Sequence, residues 1–117
     1  MATPEPTETT QTTVGHIMKD AHGKPGEGDF YCGRAMPRYG LRASPYANPY
    51  RIGPDGTRAE VLAAYQRYFR ERRPDLHARL SELRGCRLLC WCHTAAGVGD
   101  PCHCDWLAAV VDGREAL

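Results

Sequence analysis

The chain has 117 residues, a mass of 13.0 kDa and a formal net charge of +1, which leaves room for one domain with a small core. Its hydrophobic share of 42% and charged share of 25% are those of an ordinary globular protein, not of a disordered or fibrous one. No run approaches the roughly eighteen consecutive apolar residues of a membrane-spanning helix, so a membrane span is excluded.

The elements follow in chain order. Residues 1–13 (MATPEPTETTQTT) have no basic n-region, no apolar core and no large hydrophobe, which predicts a disordered tail and not a secretory signal. Residues 14–117 are then one domain. Residues 14–18 (VGHIM) predict a first strand, residues 21–28 a glycine-rich loop, and residues 29–33 (DFYCG) a second, short strand. Residues 34–56 form a long loop rich in Pro, Gly and Arg, of a length that usually serves function. Thr57 and Glu60 make a capping box, and Val61, Leu62, Tyr65, Tyr68 and Phe69 behind it mark one apolar helical stripe. Pro74 opens a second helix with Leu76, Leu80 and Leu83 inward, ended by Gly85. Residues 86–92 (CRLLCWC) suit a buried strand. Asp100 and Pro101 look like the cap and first residue of a last helix, with Trp106, Leu107, Val110 and Val111 as its core face. The order predicts an α/β fold: a small single layer of mostly parallel strands packed with three helices. Ligands in such sheets collect beyond the carboxyl ends of the strands.

The charge is unevenly spread. Residues 1–29 and 88–117 each carry −3, whereas residues 30–87 carry +7, from twelve arginines against five carboxylates. Arg34, Arg38, Arg42, Arg51 and Arg58 fall in the long loop or at the helix start behind it, and a guanidinium fork suits phosphate or carboxylate. Ser44 and Asn48, set among two prolines and two tyrosines, have the chemistry to hold a sugar or base while Arg34 and Arg58 hold an anion. The plainer alternative is a solvated loop whose tyrosines cover the core. Seven further arginines on the two helices read as a solvated face, or as a surface for nucleic acid with strong salt dependence.

Five of the six cysteines fall within residues 86–104, which fits a reduced thiol site in a cytoplasmic domain better than a disulfide scaffold. Three chemistries fit this cluster. Cys90, Cys92, Cys102 and either His103 or Cys104 offer four zinc ligands. Cys102, placed at the second position of a helix capped by Asp100, is a candidate reactive thiol with His93 or His103 as base. The third reading is packing, the class that also suits Cys32 and Cys86.

Several blocks together carry a resemblance: Tyr31-Cys32-Gly33-Arg34, the stretch from Ser44 through Asn48-Pro49-Tyr50, Gly53, Thr57-Arg58, Tyr65, and Cys90-Trp91-Cys92 with Cys102-His103. Over about residues 29–112 the chain resembles a family of small bacterial and phage domains, domain of unknown function 4326. The resemblance implies a small α/β enzyme-like fold, with Arg34, Asn48, Arg58, Cys90, Cys92, Cys102 and His103 in one polar site.

The expected function is a small enzyme acting on a phosphorylated or nucleotide-like small molecule, with hydrolysis or transfer at an N-glycosidic bond as its candidate reaction. Cys102 and His103 are its candidate catalytic pair, and Arg34, Ser44, Asn48 and Arg58 its candidate substrate contacts. Zinc on Cys90, Cys92, Cys102 and His103 is its candidate cofactor. Glu60 and Asp55 are the nearest carboxylates. The alternative is a zinc-stabilised module that binds nucleic acid or protein.

Overall fold

A computed structural model describes residues 11–91 and 102–117. Its centre is a strand flanked on both sides. Strand β3 (Arg87–Cys90) pairs in parallel with β1 (Thr13–His16) and with β2 (Asp29–Tyr31), in the order β1-β3-β2. Parallel sheets are covered on both faces, and β3 shows it: Leu88, Leu89 and Cys90 are all buried. Leu88 and Cys90 face the main core of Tyr65, Phe69, Leu83 and Leu107, while Leu89 faces a smaller cluster with Ile17 and Leu41. The α/β layer of parallel strands expected from the sequence is therefore present.

Among the described residues, four α-helices accompany it: α1 (Ile17–Ala21), α2 (Arg58–Arg72), α3 (Pro74–His77) and α4 (His103–Val111). No helix of the described residues is long and apolar enough to cross a membrane. Helix α2 starts as predicted: Thr57 Oγ1 accepts from the Glu60 amide at 3.2 Å, and the Glu60 carboxylate accepts from the Thr57 amide at 2.8 Å. Such a cap contributes about 1 kcal/mol. Val61, Tyr65 and Phe69, one every four residues, are its buried row.

Three local expectations are corrected. The first strand ends at His16, because the His16 ring nitrogen Nδ1 accepts from the Met18 and Lys19 amides while Asp20 accepts from the His16 amide. That closed cap turns Ile17 and Met18 into helix α1 despite their apolar, strand-like run. The second predicted helix stops at His77 and continues as a 3-10 turn over Leu80–Leu83. There the amides of Arg79, Glu82 and Arg84 bond three residues back, and the buried Tyr46 hydroxyl donates to the Glu82 carboxylate at 2.6 Å and lies 3.2 Å from the Arg79 carbonyl. The tighter helix still buries Leu76 and Leu83, and Gly85, at φ 78°, ends it as expected. Finally, Thr12 and Thr13, assigned to the tail, belong to the fold. Thr13 opens β1, and the buried Thr12 gives its amide and hydroxyl to the Asp112 carboxylate at 2.9 and 2.8 Å. Residues 1–10 lie outside the described residues.

Candidate functional site

All three strands run the same way, so their carboxyl ends meet at one edge. Beyond β2 comes Cys32-Gly33-Arg34 and the long loop; beyond β3 comes Trp91; and α4 begins at the same place. The edge carries a cavity of about 380 Å³. Arg34, Asn48, Arg58, Trp91, Cys102 and His103 all line it, although they come from five separate stretches of chain.

The loop is held rather than loose. Gly33 leaves room for the Tyr31 ring, since a Cβ there would lie 2.5 Å from the Tyr31 hydroxyl oxygen and push it aside. That hydroxyl donates to the Arg34 carbonyl and accepts from the Trp91 indole at 2.9 Å, fastening the end of β2 to the end of β3. The Ser44 amide bonds the Gly33 carbonyl, and the Ser44 hydroxyl accepts from the Tyr46 amide at 3.1 Å. Asn48 Oδ1 accepts from the Tyr50 amide at 2.9 Å. With its oxygen spent on this turn, Asn48 has an amide NH₂ with no partner among the described residues. Tyr46 is fully buried core, while Tyr50 is half-buried on the cavity wall.

Of the arginines, Arg34 and Arg51 line the cavity exposed, and their side chains have no ion pair or hydrogen bond among the described residues. Arg58, half-buried, joins them at the first position of α2. No carboxylate is among the lining residues: Glu60 is engaged in the α2 cap, and Asp55 accepts from the Arg51 amide. Three guanidinium groups converge on this wall, and the two exposed ones, Arg34 and Arg51, have no ion pair among the described residues, which makes the cavity attractive to anions. Ser44 instead lines an adjoining cavity of about 310 Å³, which shares Arg34, Asn48 and Arg51 with the first.

Helix α4 starts later than the sequence suggests. Cys102 is its N-cap, with extended φ −98° and ψ 177°, so His103 and Cys104 are its first and second residues. The reason is Asp105, whose carboxylate accepts from the Cys102 amide at 2.8 Å. Asp100 and Pro101, the expected start, lie outside the described residues, as do Cys92 and His93.

His103 is buried, with Nε2 2.8 Å from the Cys32 carbonyl and its ring edge-on to Tyr65 at 5.0 Å between centroids. A carbonyl only accepts, so Nε2 carries the proton. Burial lowers the His103 pKa from its ordinary 6.5, which keeps the imidazole neutral at neutral pH. The Cys102 thiol lies 3.6 Å from that of Cys90, and Cys104 Sγ lies 3.7 Å from His103 Nε2. Burial, reinforced by the neighbouring thiols, pushes the Cys104 thiol well above its usual range. Cys32 is buried and Cys86 half-buried, away from the cavity lining.

With this arrangement in view, the chain matches, over residues 16–113, the family described as Domain of unknown function (DUF4326). The chain belongs to that family. No curated protein and no solved structure matches it. Arg34, Asn48, Arg58, Cys102 and His103, from the blocks quoted above, line the cavity at the sheet edge, and the Cys90 thiol lies 3.6 Å from that of Cys102. Trp91, which is not among the expected contacts, and Arg51, one of the loop arginines expected to suit an anion, also line the cavity of this DUF4326 chain. A tryptophan at the carboxyl end of a predicted central strand was the available signal for the first.

Proposed function

We propose that the chain is a small enzyme that binds a phosphorylated, nucleotide-like small molecule in the cavity at the sheet edge. The observation that carries this reading is the convergence of Arg34, Arg51 and Arg58 on one cavity with the Asn48 amide, the Trp91 indole and the Cys102–His103 pair. A volume of about 380 Å³ is in the range of pockets that enclose small ligands. The guanidinium groups take the anion by charge-assisted, forked hydrogen bonds. The Asn48 NH₂ donates to a base or sugar acceptor, and the aromatic rings give the flat part of the ligand a face.

Cys102 and His103 stand on the same wall and are the side chains placed to act on the held molecule. In a neutral imidazole with its proton on Nε2, Nδ1 is the basic nitrogen. Cleavage or transfer at an N-glycosidic bond is the reaction to test first, because it needs a held nucleoside and one nucleophile or activated water. With no carboxylate on the described wall, proton transfer falls to imidazole and thiol.

The test is thermal unfolding in the presence of nucleoside monophosphates, nucleosides and phosphosugars. A true ligand at a hundred times its Kd adds about 2.7 kcal/mol and raises Tm by on the order of 10 °C. Phosphorylated compounds should outperform the matching nucleosides. If no compound of the three classes raises Tm, the reading fails.

A further inference from the structure

Cys102 lines the cavity, and two further buried thiols lie behind it. The Sγ atoms of Cys90, Cys102 and Cys104 all lie within 4.8 Å of one another, and all three side chains are buried. They arrive from two elements: Cys90 is the last residue of β3, while Cys102 and Cys104 are the cap and second residue of the nine-residue helix α4. Thiolates around a tetrahedral zinc ion, with Zn–S near 2.3 Å, stand about 3.8 Å apart. The Cys90–Cys102 separation of 3.6 Å is close to that spacing.

We propose that Cys90, Cys102 and Cys104 bind one zinc-class divalent cation as thiolates beside the cavity. Three S–H protons pass to solvent as three sulfur–metal bonds form, and no electron is transferred. The resulting centre has a net charge of −1. The positive end of the α4 dipole favours negative charge there, and Arg34 and Arg58 line the same cavity. The fourth position falls to water from the cavity side, because Cys102 reaches the lining. The other fully buried thiol among the described residues, Cys32, is outside the triplet and faces the Phe30 carbonyl at 3.6 Å. The inference is independent of the anionic ligand proposed above, since the triplet exists whatever the cavity holds. With the ion bound, Cys102 is a ligand, and the group poised over the cavity becomes the metal-held water.

The experiment loads the full chain with zinc sulfate under reducing conditions and passes it through gel filtration. One zinc per chain is expected to remain. Titration in weak buffer at neutral pH should release about three protons per ion. Cobalt(II) in place of zinc should show sulfur-to-metal charge-transfer absorption. That band should be lost in Cys104→Ser, with zinc affinity down at least about a hundredfold, and retained in Cys86→Ser and Cys32→Ser. Zinc that washes off, cobalt without the sulfur band, or thiols recoverable only by a reductant would each overturn the proposal. The proton count and cobalt spectrum are read on the unaltered chain, so they decide the matter even if Cys104→Ser does not fold.

Discussion

The arginines of the loop and those of the helical half carry the same charge and keep different company. Of the seven arginines that follow the loop, from Arg67 to Arg87, four are hydrogen-bonded through their side chains. Arg73 pairs with Asp75 at 3.0 Å and also reaches the Pro45 carbonyl, and Arg79 pairs with Glu82 at 3.3 Å. Arg84 donates to the Val111 carbonyl, and Arg87 grips both carboxylate oxygens of Asp29 at 2.9 and 3.1 Å. On the cavity, Arg34 and Arg51 have no such partners among the described residues. Charge that is already matched builds the fold; charge left unmatched around a concave wall is available to something else. The excess of +7 in residues 30–87 is therefore of two kinds, and the guanidinium groups on the cavity wall are the kind that points at a ligand.

The sharpest way to break this contrast is Arg34→Ala. It should weaken binding of a phosphorylated ligand roughly ten- to a hundredfold, the weight of a charge-assisted hydrogen bond, and leave the unfolding midpoint within error. Arg72→Ala, on the exposed end of α2, should leave affinity unchanged. Equal losses in calorimetric titrations of the two variants would show that no localised anion pocket exists.

Arg87→Ala should reverse the pattern, costing roughly 1–2 kcal/mol of stability in urea melts with ligand affinity intact. Its pH dependence has a definite sign. The hydrogen bonds from Arg87 hold the Asp29 carboxyl below its ordinary 3.8. Because the folded value is the lower one, the pair stabilises fully above 3.8 and fades as pH falls through the folded value. The stability gap between the original chain and Arg87→Ala should thus be widest at neutral pH and shrink in acid. A gap that persists unchanged in acid would mean that the guanidinium acts there through packing alone. The smallest effect belongs to Arg79→Ala: its pair with Glu82 is solvent-exposed on the arginine side, and about 0.5 kcal/mol or less should be lost.

Much of this was legible in the chain because its signals are local. The α2 capping box, the leucine spacing behind Pro74 and the continuous apolar run of β3 each specify their element within a few residues. The arginine loop could be connected to Cys102 and His103 because parallel strands bring their carboxyl ends together whatever their distance in sequence. What escaped depends on partners that sequence spacing does not name. Asp105 closing on the Cys102 amide moved the start of α4 by two residues. Tyr31 meets Trp91 across sixty positions, and nothing near either one announces the other. Tyr46, set among prolines beside the candidate contacts Ser44 and Asn48, fills the core and holds the 3-10 turn. Thr12 looked like tail until Asp112 took its amide and hydroxyl.

The position of β3 has a kinetic consequence. Both ladders of the sheet run through it, so Thr13 and Asp29 wait for the same partner, Arg87, far along the chain. Helix α2 can flicker into being on its own capping box, but no strand pairing can precede β3. Non-local closure of this kind slows folding. The rim of the cavity hangs from that sheet edge, so it cannot assemble before β3 is paired, and substitutions in β3 should delay its appearance before they change its shape.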